Sequence, residues 1–195
     1  MARACKAIFA GIVLALSFTA PVAAGPVEDA AAAHARGDFA TAVRLWRPLA
    51  EQGYAATQSS LAYLYVHGQG VTQDYAEGLK WYRRAAEQGL AIAQLNVGIL
   101  YINGQGAPQN YEEGARWPRL AADQGHPIAQ SSLGSMYADG RGFPQDYVHA
   151  HMWLNLAAAQ GNKFATTYRD DITRRMTPAQ IAEAQKLARE WTPKR

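Results

Sequence analysis

The sequence predicts an all-α fold: a right-handed α/α superhelix, a solenoid of stacked helix-turn-helix repeats. Three observations predict it. A pattern of 36 residues recurs in three ungapped copies between Ala55 and Gly161. Within each copy the apolar residues fall at helical spacing, and glycines close each helical stretch. One helix hairpin cannot bury its apolar face alone, so the copies must stack and cover one another.

The elements follow in chain order. Residues 1–24 read as a secretory signal peptide. Arg3 and Lys6 make a positive start, Ala7 to Ala20 is an uncharged, mostly apolar run, and Pro21 breaks it. Val22-Ala23-Ala24 offers the small residues a signal peptidase reads, which makes Gly25 the first mature residue. A retained transmembrane anchor is the alternative, but the run is shorter than the roughly 20 residues a spanning helix needs. Cys5, the single cysteine, precedes the apolar run and leaves with it. The mature chain is therefore expected to have no cysteine, no disulfide and no integral membrane span, and to be periplasmic or secreted.

Residues 25–53 read as a degenerate N-terminal cap. The segment Gly37 to Trp46 has the pattern of a second repeat helix without the glycine-rich loop, and the cap ends in Gln52-Gly53. Three full units follow at 54–89, 90–125 and 126–161. Their shared columns include Gln58/Gln94/Gln130, Tyr65/Tyr101/Tyr137, Gly68/Gly104/Gly140, Gly70/Gly106/Gly142 and Trp81/Trp117/Trp153. In the first unit a helix over about 55–67 carries Leu61, Leu64 and Tyr65 on one stripe, and Gly68-Gln69-Gly70 stops it. Asp74 is a good N-cap for the second helix, with Glu77 placed for a capping box; Asn110 with Glu113 repeats the arrangement, and in the third unit His149 replaces the acid. Pro48 and Pro118 fall inside predicted helices and are expected to bend them.

Residues 162–195 read as a C-terminal cap. A helix over 163–175 is expected to turn Phe164 and Tyr168 toward the array. Thr177-Pro178-Ala179-Gln180 then combines an N-cap, proline at the first helical position and a capping-box glutamine. Ile181, Ala184, Leu187, Ala188 and Trp191 form the apolar stripe of the last helix.

Charge narrows the function. The 195 residues carry a net +3, with a pI near 9.0, a balance that suits nucleic acid or an acidic surface. Two of those charges sit in the leader. The rest divides into a mildly acidic body and a basic tail: residues 163–195 hold 8 Lys+Arg against 4 Asp+Glu. The tail charges spread over two helices as a solvated face would, and an exported chain is expected to have no nucleic-acid partner. Catalytic spacings are missing: there is no His-Glu-x-x-His, no cysteine pair, no phosphate-binding Gly-rich loop and no Gly-x-Ser-x-Gly. The recurring Gly-x-Gly follows a helix rather than a strand, so it is a helix-ending turn. His149 and His151 lie about 200° apart around a helix and are poorly placed to share a metal. No catalytic residue, metal or cofactor is expected.

A binding face is legible in the columns that differ between units. Repeating columns hold the fold; differing ones lie where the scaffold does not dictate the residue. On the first helices these are Ser59/Leu95/Ser131, Ser60/Asn96/Ser132, Tyr63/Ile99/Ser135, Val66/Ile102/Ala138 and His67/Asn103/Asp139. Ser59, Tyr63, Val66, Leu95, Ile99, Ile102 and Ser135 are the candidate partner-binding residues. Tyr63 and Ile99, as partly exposed apolar side chains, are suited to gripping a protein surface.

The pattern seen from Ala55 to Gly89, Ala91 to Gly125 and Pro127 to Gly161 resembles the Sel1-like repeat, a relative of the tetratricopeptide repeat. The tail resembles the segment that follows such arrays in secreted bacterial proteins. The resemblance implies an envelope adaptor or regulator that binds a protein or peptide on a concave helical surface. It also carries a second reading, a cell-wall ligand binder or weak hydrolase acting on peptidoglycan or a β-lactam. Family members of that type carry a disulfide in each repeat, whereas residues 25–195 contain no cysteine.

Overall fold

A computed structural model describes residues 25–194; the signal-peptide expectation falls on residues 1–24, outside them. Ten helices and no strand occur among the described residues. They are α1 (Pro26–Ala35), α2 (Phe39–Glu51), α3 (Ala55–His67), α4 (Tyr75–Glu87), α5 (Ala91–Asn103), α6 (Tyr111–Asp123), α7 (Pro127–Asp139), α8 (Tyr147–Ala159), α9 (Lys163–Thr173) and α10 (Pro178–Glu190). From α1 to α9 each helix packs on its chain neighbours, as in an all-α solenoid, and α10 passes over α9 to lie on α8.

Two glycines set each intra-repeat loop. Gly68, Gly104 and Gly140 end the first helices in the left-handed conformation, with φ of 64°, 67° and 70°. Gln69, Gln105 and Arg141 then donate back to Leu64, Leu100 and Met136, each at 2.9 Å, closing the helix ends. The second glycine serves the stack instead. A Cβ on Gly106 would lie 2.3 Å from the carbonyl oxygen of Tyr75, and Gly70 and Gly142 abut Phe39 and Tyr111 in the same way. Each loop therefore rests on the opening turn of the preceding second helix.

Asp74, Asn110 and Asp146 cap α4, α6 and α8 as expected. The capping box does not form there. The backbone N–H of each cap residue already donates to Tyr65, Tyr101 or Tyr137 across the loop, at 3.0, 3.0 and 2.9 Å. Glu77 instead accepts from the Trp81 indole at 2.9 Å. The capping box at Thr177 and Gln180 is complete, with Pro178 at the helix start.

The glutamine columns join unit to unit. Gln58, Gln94 and Gln130 are buried, and their amides donate to Ala50, Ala86 and Ala122 at 3.0, 3.2 and 3.4 Å. Their side-chain oxygens accept from Gln88, Gln124 and Gln160 at 2.8, 3.0 and 2.8 Å. Each buried glutamine thus ties the preceding hairpin to the end of its own, and its polar atoms are matched by protein partners.

Both interior prolines lie within uninterrupted helices, so neither ends the element it sits in. Pro118 is fully buried, and its ring occupies the space over Gly98, where a Cβ would meet it at 2.4 Å. The absent side chain of Gly98 accommodates it.

The C-terminal cap differs from expectation in one side chain. Phe164 is 62% exposed. Ala165 and Ile172 carry the buried face of α9, and the Tyr168 hydroxyl donates to Asp139 Oδ1 at 2.6 Å. Rotation of α9 into that register leaves Phe164 on the surface. The outer face of α8 carries Met152 and Leu156 where earlier units place Lys80 and Arg84, or Arg116. Leu187, Ala188 and Trp191 of α10 cover it. The chain end is clasped: Lys194 donates from its backbone and its Nζ to Asp123, both at 2.8 Å.

Candidate functional site

The first helices of the repeats share one face of the solenoid, and three recesses run along it. The largest, about 590 Å³, is lined by Tyr63, Ser59 and Ser60 of α3, Ile92 and Asn96 of α5, His34, Trp46 and Tyr82. A second, about 350 Å³, adjoins it and shares His67, Tyr82 and Asn96. The third, about 380 Å³, lies further along between α5, α7 and α9 and shares Ile99 with the second.

The seven candidate residues all reach this surface. Ser59 and Tyr63 line the largest recess, Val66 and Ile99 the second, and Leu95, Ile99, Ile102 and Ser135 the third. One of them needs correction. Leu95 is only 3% exposed and belongs to the core beneath the surface. Val66 and Ile102 are half-buried and also pack inward: Gly78 faces Val66, Gly114 faces Ile102, and Cβ atoms built there would lie 2.5 and 2.6 Å from those side chains. Gly68, Gly104 and Gly140 serve as helix ends, and Trp81, Trp117 and Trp153 are buried, as their regular recurrence implies.

The structure also adds residues. Ile92, Ile128 and Phe164 are 40%, 53% and 62% exposed and line the same recesses. Together with Ala56 they form another 36-residue column whose identity changes, so column variation carried the signal. With Tyr63 and Ile99, both 40% exposed, they make an apolar row along the surface. His34 comes from the cap, and Trp46 and Tyr82 belong to a second-helix column, Trp46/Tyr82/Pro118/Leu154, that also changes from unit to unit.

The electrostatics of this surface are simple. No Asp, Glu, Lys or Arg lines any of the three recesses. Burial, with the Tyr63 ring beside it, pushes the Tyr82 hydroxyl well above its ordinary pKa, so it remains a neutral O–H donor. Aromatic rings pack around the largest recess: Tyr63 stacks on His67 at 3.9 Å, and His34 lies 5.5 Å from Trp46. Such a surface binds uncharged, apolar groups with a few hydrogen bonds to orient them.

The polar features lie elsewhere. Tyr168, Asp139, Asp171 and Arg175 border a recess of about 430 Å³ at the end of α7. Burial, with Asp139 accepting its hydrogen bond, pushes Tyr168 up to about 12. His149 pairs with Asp146 at 2.6 Å on the surface, while His151 is buried against α9. Among the described residues, no three of His, Cys, Asp and Glu gather closely enough to hold a metal ion. No described helix is long and apolar enough to cross a membrane.

Comparison with known proteins places this geometry. The Sel1 repeat family model matches residues 55–90, 91–126 and 127–162. Among solved structures, a protective antigen of uropathogenic Escherichia coli displaying an SLR fold is 34% identical, with a TM-score of 0.74 over 84% of this chain. The match spans 37% of that protein's length. A Sel1 repeat protein from Oxalobacter formigenes is 36% identical, with a TM-score of 0.60, covering 65% of this chain and 95% of that one. No curated protein sequence matches the chain. Three consecutive repeats matched over more than half of its residues, on a structure whose loops, caps and glutamine ties recur in step with them, make this chain a member of the Sel1 repeat family.

Proposed function

We propose that this Sel1 repeat scaffold is a non-catalytic adaptor or regulator of the bacterial envelope, exported by its leader. In this reading it grips a protein or peptide partner on the face formed by α3, α5 and α7. One observation carries the reading: a run of recesses without a lining charge, edged by exposed apolar side chains at positions that differ from repeat to repeat. Exposed apolar rows of this kind are what interaction surfaces offer, and Sel1 repeats generally mediate protein interactions.

The test is crosslinking in periplasmic extract with the wild type and with a Tyr63→Ala, Ile99→Ala double variant. Both side chains are 40% exposed, so the variant should melt with the wild type while losing the crosslinked partner. A variant that keeps every partner refutes this face. N-terminal sequencing of the envelope-located protein should begin at Gly25. Turnover of a chromogenic β-lactam, or saturable binding of peptidoglycan fragments, would overturn the adaptor reading in favour of a cell-wall ligand.

A further inference from the structure

The largest recess presents a hydroxyl that no protein side chain engages. Tyr82 is 3% exposed and lines both this recess and its neighbour. None of the side-chain hydrogen bonds found among the described residues engages its hydroxyl, and the groups that perturb it are burial and the Tyr63 ring alone. The ring is buried while the hydroxyl, which is not among the buried atoms lacking a partner, opens onto the recess and is free to donate to a ligand acceptor. The feature belongs to the first repeat only. Pro118 and Leu154 stand at the equivalent positions of the other two units.

Several polar groups around Tyr82 are already engaged. Ser60 Oγ donates to Ala56 at 3.0 Å, and His67 Nδ1 meets the Tyr63 carbonyl at 2.8 Å. Asn96 Nδ2 donates to Ile92 at 2.9 Å, which leaves Asn96 Oδ1 as an acceptor. The saddle between the two recesses, shared by His67, Tyr82 and Asn96, thus offers the Tyr82 hydroxyl as a donor and Asn96 Oδ1 and His67 Nε2 as acceptors beside aromatic rings. A secondary amide supplies the matching acceptor and donor. A charged side chain would be stripped of water with no counter-charge in the lining.

We propose that the first-repeat recess is the anchor site of the groove: it takes an uncharged aromatic side chain of the partner together with the adjoining peptide amide, whose carbonyl accepts from the Tyr82 hydroxyl and whose N–H donates to Asn96 Oδ1. This rests on the reading of the groove as the partner surface and names the chemistry it selects. The second and third repeats then extend the contact through Ile99, Ile128 and Phe164 without selecting an amide.

The experiment uses the full chain and small probes, followed by backbone amide NMR. N-acetyl-L-phenylalanine N-methylamide should shift the signals of Tyr63, Tyr82 and Asn96 saturably. The corresponding glutamate derivative should bind more than about ten-fold more weakly. Tyr82→Phe should weaken the phenylalanine probe about five-fold, the worth of one hydrogen bond, while melting with the wild type. Equal binding of the glutamate probe, equal binding by Tyr82→Phe, saturation of the same signals by methyl β-D-glucopyranoside, or no perturbation by the phenylalanine probe would each overturn the assignment. Loss of the crosslinked partner in the Tyr63, Ile99 variant alongside a silent phenylalanine probe would leave the groove standing and refute the amide site alone.

Discussion

Gly78 of α4 faces Val66 of α3 so closely that a Cβ on the glycine would lie 2.5 Å from Val66 Cγ2. The third unit solves the same contact differently, with Ala150 facing the shorter Ala138. Gly78→Ala gains up to about 1 kcal/mol of helix propensity but overpacks the hairpin by about 1–3 kcal/mol. The expected net effect is destabilisation by about 1 kcal/mol. Adding Val66→Ala should restore most of it, and a double-mutant cycle by urea unfolding measures the coupling.

The glycines of the loops separate two costs. Gly89 has a φ of 89° and nothing within 4 Å of a prospective Cβ, whereas Gly106, at 78°, would drive its Cβ into the Tyr75 carbonyl. Gly89→Ala should therefore cost only the left-handed backbone penalty, about 1–2 kcal/mol. Gly106→Ala adds a clash with backbone that no side-chain rotation relieves, and about 3 kcal/mol or more is expected. Thermal melts of the two variants in parallel check the ranking.

Gln94 tests the ties between units. Its replacement by leucine removes the donor to Ala86 and the acceptor for Gln124 in a site that is 4% exposed. Both partners keep another contact, since Gly89 N–H reaches the Ala86 carbonyl and Gln124 reaches the Gly89 carbonyl. The loss should then fall near about 1–2 kcal/mol. Hydrogen exchange should localise it to the junction of α4 with α5 rather than to the whole chain.

What was legible in the sequence was what repeats. The helix pairs, the caps at Asp74, Asn110 and Asp146 and the Thr177 capping box are local, and each is written in contiguous residues. Leu95 was misread because its burial comes from the cluster it shares with Ala122, Ala129 and Leu133 of later elements, which a single column does not reveal. Phe164 was misread because α9 offers apolar residues on more than one side; the Tyr168–Asp139 hydrogen bond and the burial of Ile172 fix its rotation only after folding. His34, Trp46 and Tyr82 of the recess lie outside the differing columns of the first helices, so only the stacking of hairpins brings them together.

Trp191 anchors the fold-back of the chain end. It meets Trp153 edge-to-face at 6.0 Å, and Lys194 follows it onto Asp123. Trp191→Ala should cost about 2 kcal/mol, below the 3–5 kcal/mol of a fully buried tryptophan because the ring is only half-buried. Trp191→Phe should cost less, since the indole N–H it removes has no acceptor. Lys194→Ala should stay within about 1 kcal/mol, because its side chain is 71% exposed. Urea midpoints of the three variants should fall in that order.

His151 gives the fold a sensitivity to acid. The column holds Leu79 and Ala115 in the earlier units, and the imidazole is buried with Nδ1 unpartnered. Burial lowers its pKa, the Arg169 guanidinium lowers it further, and Asp170 opposes them. A histidine held below its unfolded value binds more protons when the chain unfolds. Stability is therefore full above about pH 6.5 and declines as pH falls toward the folded value. His126, lowered by burial alone, acts in the same direction. Denaturation midpoints of the wild type should fall between pH 7.5 and 5, a window above the carboxylate range. His151→Leu should flatten part of that slope and leave the part owed to His126. An unchanged slope in His151→Leu would show that the imidazole is hydrated in solution and that α9 does not seal it.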